Sequence, residues 1–313
     1  MSELELTGLR ADVPIGAMAA FGLLRVCQRL DGFRGSKLSW PVAGGSYVAV
    51  LHTDGAAQSR EELVAALLGD VKNAARRVEL TWRAKLKGLS PEEFRKAADE
   101  NPDAADWFAA FGSDSALDRE GLVDGTPLDM TGGPQEFLAG ARELAIRLST
   151  EPAQKRKTKT PAESFREALF GPWRYEDDQH SLGWDPAAIK LGAFTRNAPT
   201  KMTNAGVQAA VWLAFESIPL FPCFAVRGRL QTRAFQRTRQ QFVFSWPVWT
   251  DPIGIETLGH VLGQQLLDRE TWKRLPERGI VAVYSSERFN LNKYYASFRV
   301  PQLAFGGAAA AAV

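Results

Sequence analysis

Five arginines, Arg227, Arg229, Arg233, Arg237 and Arg239, occupy odd positions in one short stretch of the chain. In an extended chain alternate side chains share a face, so this spacing predicts a row of guanidinium groups along one side of a strand. No acidic residue occurs between Glu216 and Asp251 to neutralise the row. Unpaired like charges on one surface repel each other unless an anion sits among them. Phosphate fits, because the planar guanidinium fork matches its oxygens. The rival explanation is a solvated edge hairpin whose charges deter aggregation.

Further basic groups add to this chemistry. Lys155, Arg156, Lys157 and Lys159 lie between Pro152 and Pro161, in a stretch whose charge density predicts an extended linker. Arg196, Asn197 and Lys201 fall in a polar loop, and Arg288 and Lys293 in a polar turn expected over 285–295. All of these are candidate nucleic-acid contacts, and the 155–159 linker is expected to order when phosphate arrives. Asn197, Asn204, Asn290 and Asn292 are candidates for bidentate contact with base edges.

Catalytic constellations are harder to find. Glu176, Asp177 and Asp178 precede His180, a combination that could perform acid–base chemistry, but no nucleophile accompanies it. Asp114, Asp118, Glu120, Asp124 and Asp129 crowd one loop region. Their spacing fits no calcium-loop template, and a solvated acidic loop is expected. His52, His180 and His260 are scattered. There is no Walker loop, kinase signature set or nucleophile elbow. No catalytic residue, metal or cofactor is therefore expected. Two alternatives stay open: a metal-dependent nuclease built on residues 176–178, and a protein-only scaffold whose acidic first half docks a basic partner.

The elements that position these groups follow from local patterns. Residues 4–9 alternate and predict a strand, and 17–30 predict an apolar helix with Arg25 and Arg29 near its C-terminal end, where the helix dipole favours cations. Residues 37–40 and 46–52 predict the arms of a hairpin. Ser59 with Glu62, and Ser90 with Pro91 and Glu93, predict capped helix starts. A helix of roughly 25 residues is expected after Ser59, with a basic later face that includes Lys72, Arg76, Arg77, Arg83, Lys85 and Lys87. Helices are also expected over 134–148, 162–170, 204–217 and 255–267, short strands at 121–123 and 279–284, and a helix stop at Pro219 and Pro222. The sum is a mixed α+β protein with an antiparallel sheet core, several packed helices and two lobes.

Composition sets the outer limits. The 313 residues are 45% hydrophobic and 24% charged, as in a globular protein with a sizeable core. The formal net charge of +2 hides an asymmetry: residues 1–150 carry 17 basic and 22 acidic side chains, a net of −5, and residues 151–313 carry 21 and 14, a net of +7. An acidic lobe over 1–150, a basic lobe over 151–305 and a disordered tail over 306–313 are expected, with the basic lobe facing a polyanion. The two cysteines, Cys27 and Cys223, predict buried free thiols. No signal-like or membrane-spanning run is present, so a cytoplasmic protein with no membrane partner is expected.

Several short motifs resemble one family. They are Leu6-Thr-Gly-Leu-Arg10, Pro14-Ile-Gly-Ala17, Phe21-Gly-Leu-Leu24, Leu182-Gly-Trp-Asp-Pro186, Trp212-Leu-Ala-Phe215, Pro219-Leu-Phe-Pro222, Trp246-Pro-Val-Trp249 and Arg278-Gly-Ile-Val-Ala-Val-Tyr284. Together they are similar to large-subunit-type proteins of type I-G (formerly I-U) CRISPR effector complexes. The resemblance implies a non-catalytic subunit of a crRNA-guided surveillance complex. Its implied partners are crRNA, target DNA, the other effector subunits and a helicase-nuclease recruited after target binding. In such systems base pairing reads the sequence, and protein holds the backbone and reads a short motif.

Overall fold

The computed structural model describes residues 2–54, 58–132, 135–152, 159–177, 182–188, 206–238, 241–292 and 295–306. The chain opens with β1 (Ser2–Arg10), followed by α1 (Pro14–Cys27), β2 (Lys37–Ser39), β3 (Val42–Ala43) and β4 (Ser46–Thr53). The strands form an antiparallel sheet in the order β1-β4-β2, with β3 also paired to β4. Pro14 stands at the start of α1, where a missing N–H costs nothing.

A helical layer follows: α2 (Arg60–Val71), α3 (Val78–Thr81), α4 (Pro91–Glu100) and α5 (Ala105–Phe111). The Ser59 and Ser90 capping boxes form as their spacing predicts, and Thr160 with Glu163 makes a third. The long basic helix expected after Ser59 ends at Val71, and the chain reaches α3 through a 3-10 turn. The hairpin of β5 (Gly112–Leu117) and β6 (Val123–Gly125) comes next, then α6 (Phe137–Ser149), α7 (Pro161–Phe170) and α8 (Gln208–Glu216). Every residue of α8 is buried, as expected of a helix that is apolar nearly all round. It packs on α1 so closely that a Cβ at Gly22 would lie 1.7 Å from the Leu213 carbonyl oxygen.

The remaining strands are β7 (Cys223–Val226), β8 (Arg229–Thr232), β9 (Phe235–Arg237), β10 (Phe242–Trp249), β11 (Ile280–Asn292), β12 (Tyr295–Phe298) and β13 (Gln302–Phe305), with α9 (Ile255–Leu262) and α10 (Arg269–Trp272) between β10 and β11. They form a sheet in the order β12-β11-β10-β9, with β13 also on β11, and a separate β7–β8 hairpin. In place of the polar turn expected over 285–295, residues 285–292 continue β11, because β10 pairs along its first part and β12 takes over from Arg288.

The end of β10 is tied to the first sheet. Trp40 N donates to the Trp249 carbonyl at 2.8 Å, Trp249 Nε1 to the Leu38 carbonyl at 2.7 Å, and Leu38 and Ile253 form a bridge. Phe21, Trp40 and Trp249 meet ring to ring at this junction, with centroids 6.0–6.3 Å apart. One buried cluster runs from Leu4 to Phe298 and draws on both sides of residue 150. The architecture is α+β, with antiparallel sheets and packed helices. Cys27 and Cys223 are free and buried, and burial pushes their thiols up to about 12 and about 11. No helix among the described residues is long and apolar enough to cross a membrane.

Candidate nucleic-acid interface

The arginine stretch does not form a single row. Its period of two is broken by two turns. Arg227 (φ 52°) and Gly228 (φ 72°) form the tip between β7 and β8, the mirror-image turn whose twist matches paired strands. Ala234 (φ 65°) makes the second turn, which feeds β9 into its pairing with β10. Sequence parity therefore stops reporting the face after each turn.

The register of the β7–β8 hairpin separates its two faces. Cys223 opposes Thr232 and Ala225 opposes Leu230. These residues face inward, where Cys223, Ala225 and Leu230 pack with Ala116. Phe224 opposes Gln231 and Val226 opposes Arg229 on the outer face. Phe224 is 51% exposed and Val226 46%, an unusual exposure for large apolar side chains on adjacent same-face positions.

Arg229 and Arg237 meet again in space. With Arg119 they line a cleft of about 830 Å³ between the β5–β6 loop and the strands β8 and β9. Arg119 and Arg229 are exposed and have no ion pair among the described residues, and the same holds for Arg227 at the hairpin tip. Arg237 lies 3.8 Å from Asp124, and its guanidinium is 5.2 Å from the ring centroid of Phe242, its cross-strand neighbour. Burial raises the pKa of Asp124, against the opposing pull of Arg237. Asp118, also in this cleft, accepts from Glu120 N at 2.9 Å and Leu122 N at 3.0 Å through its Oδ1, and its negative charge belongs to the cleft.

The other nominated cations are placed differently. Arg233 turns away from this cleft and lies along α9, its Nη1 3.6 Å from where a Cβ at Gly259 would stand. Burial lowers its pKa. Lys159 is not a free linker charge: its ammonium is ion-paired with Glu167 and lies 3.1 Å from Asp177. Arg288 is half-buried on β11, and its Nη2 donates to the Asp129 carbonyl at 3.2 Å, an internal brace rather than a surface contact. Arg239, Lys155, Arg156, Lys157, Lys293, Arg196, Asn197 and Lys201 lie outside the described residues.

The acidic candidates are occupied by structural work. Asp177 Oδ2 accepts from Gln208 N at 2.8 Å, capping α8 from a distant segment, while its other oxygen faces Lys159. Asp178 and His180 lie outside the described residues. Asp114 pairs with Arg95 at 2.9 Å, and Asp129 accepts from Thr131 N at 3.0 Å. Among the described residues no group of three His, Cys, Asp or Glu side chains could hold a metal ion. Ser39 Oγ lies 2.7 Å from His52 Nε2, and His52 Nδ1 lies 3.4 Å from Glu3. That is the order of a nucleophile–base–acid relay, but Ser39 is only 3% exposed. Its oxygen ties β2 to β4 and is out of a substrate's reach.

Sequence reasoning missed two contributors. Arg119 was hidden in an acidic loop, and nothing local joins it to residues a hundred positions away. Phe224 had a signal: apolar residues alternating up to an Arg-Gly pair announce a hairpin whose outer face includes an aromatic. A third feature was also missed, the pairing of basic residues with Glu216. That side chain is fully buried and is met by Arg25 at 3.1 Å, Arg29 at 3.0 Å and Arg77 at 2.5 Å. Arg77 belongs to the basic segment after Ser59, and it is an internal partner of α8 with its guanidinium 5.3 Å from the Trp212 ring centroid.

No family model matches the chain, and neither does any curated protein.

Proposed function

We propose that this chain is a non-catalytic nucleic-acid-binding subunit of a crRNA-guided surveillance complex and that the Arg119–Arg229–Arg237 cleft holds the strand backbone. One observation carries the binding part: guanidinium groups from the β5–β6 loop, β8 and β9 converge on one cleft with a single carboxylate, Asp124, within ion-pair distance of one of them. Three guanidinium groups against the two carboxylates of Asp118 and Asp124 leave the cleft net positive, and their planar forks suit a phosphodiester chain. Arg227 at the hairpin tip extends the same positive surface. The motif resemblance to type I-G large-subunit-type proteins supplies the guided-complex setting. Contact with target DNA and a docking surface for a helicase-nuclease follow from that setting.

The test is to replace Arg119, Arg229 and Arg237 together by Ala and titrate a single-stranded target across a series of salt concentrations. The side chains are exposed, so the fold should persist. Affinity should drop, and the slope of log affinity against log salt should shrink by about 0.7 for each phosphate that is no longer neutralised. Unchanged affinity and slope would remove the cleft from the binding surface. For the guided-complex part, the full chain should copurify with a short RNA and partner subunits, and isolation without either would defeat it.

A further inference from the structure

A second cleft, of about 470 Å³, opens beside the first, and Gln231 lines both. Phe224 and Gln231 supply one wall from the β7–β8 hairpin, Arg233 and Gln236 a second, and the segment 263–267 after α9 a third. Its chemistry differs from that of the arginine cleft. No carboxylate and no ammonium group lines it among the described residues. Its polar groups include the amides of Gln231, Gln236 and Gln265 and the Arg233 guanidinium, while the Thr232 and Ser245 hydroxyls are engaged with Cys223 and the Ala234 carbonyl. Gln264 is already occupied, donating to the His260 carbonyl at 3.2 Å and accepting from Arg278. The Arg233 guanidinium makes no ion pair or hydrogen bond among the described residues.

The geometry points to a pocket for one unstacked nucleobase of a single strand whose phosphates lie in the arginine cleft. This rests on the proposed function and adds the form of the ligand. Three features carry it. Phe224 offers an exposed ring face, and base–aromatic stacking tolerates any base. Primary amides donate and accept at once, as base edges do, and a guanidinium adds a fork of donors. The volume accommodates a base, and the shared Gln231 wall puts it one step from the phosphate-holding arginines. A base in a duplex is stacked on both sides and cannot reach Phe224 without being extruded, so the pocket selects single-stranded nucleic acid over duplex.

The test uses the full chain and a short single strand carrying a central 2-aminopurine, with an abasic strand and a duplex as comparisons. Fluorescence of 2-aminopurine should rise on binding as the base leaves its neighbours. The abasic strand and the duplex should both bind more weakly. Phe224→Leu, a change at an exposed position, should weaken binding about 10-fold, within the range for one stacked base, and leave the salt slope unchanged. Gln265→Ala should weaken it without altering the slope either. The pocket is overturned, and the backbone cleft left standing, if strands bind with the expected salt slope but fluorescence stays flat and Phe224→Leu behaves as wild type. Equal affinity for duplex and single strand also overturns it. If no strand binds at any salt concentration, both readings fall.

Discussion

Replacing Glu216 by Gln should be among the most damaging conservative changes in this protein. Its carboxylate is fully buried at the C-terminal end of α8 and is met by Arg25, Arg29 and Arg77 at 2.5–3.1 Å. Burial alone would raise its pKa, but Arg77, Arg29 and Arg25 outweigh that and hold it below the ordinary glutamate value. Breaking a buried ion pair by removing one partner costs about 3–5 kcal/mol, because the remaining charge stays buried. Here each arginine keeps another carboxylate: Arg25 keeps Asp106 at 2.6 Å, Arg29 keeps Asp70 at 2.7 Å and Arg77 keeps Glu79 at 2.9 Å. The cost should therefore fall at the low end, about 3 kcal/mol. With a urea slope of about 3 kcal/mol/M the unfolding midpoint should drop by about 1 M. Asp106→Asn is the control. That side chain is 48% exposed, and an exposed pair contributes about 1 kcal/mol or less. The pH dependence gives a second check. A depressed folded pKa means the stabilising contribution is complete above the unfolded value, about 4.3, and is lost as pH falls through the folded value. The gap between wild type and Glu216→Gln should thus narrow as the solution is acidified below about pH 4. A midpoint shift no larger than that of Asp106→Asn at neutral pH would refute the reasoning.

Gly22→Ala should destabilise by at least about 2 kcal/mol, since the added carbon meets backbone, the Leu213 carbonyl, that no rotamer change can move; a thermal melt by circular dichroism reads this, and an unchanged midpoint would show that α1 and α8 are not so closely apposed. Asp124→Asn removes the carboxylate that competes for Arg237, so single-strand affinity should rise about 2- to 5-fold, in keeping with a partly exposed pair worth under about 1 kcal/mol. A fall in affinity would mean that Asp124 positions the cleft and does not oppose it.

Local signals were legible where one short segment closes its own hydrogen bonds. The Ser59 and Ser90 capping boxes need only a hydroxyl and a carboxylate three residues on, and both formed. The alternation of β1, the buried character of α8 and the free, buried cysteines were readable from side-chain type and period alone. The arginine row failed because parity survives only within one strand. Positive φ at Arg227 and Ala234 resets it, and the arginines of one run are divided between a hairpin tip and two neighbouring clefts. Of the polar turn expected over 285–295, residues 285–292 are strand instead, because pairing with β10 and then β12 extends β11 through polar residues that carry no strand pattern of their own.

Sequence alone determined the α+β class, the helix starts, the apolar elements that must be buried and the surplus of cations in the second half. These are set by side-chain period, capping and composition, which act over a few residues. Only the tertiary structure decided which cations are spent internally. Arg25, Arg29 and Arg77 converge on Glu216, and Lys159 on Glu167 and Asp177, because burying a charge demands a partner wherever along the chain it comes from. Tertiary structure likewise brought Arg119 to Arg229 and Arg237, and set Phe224 beside the glutamine amides. Coulomb attraction and desolvation act through space, and no spacing along the chain encodes which distant charge will arrive.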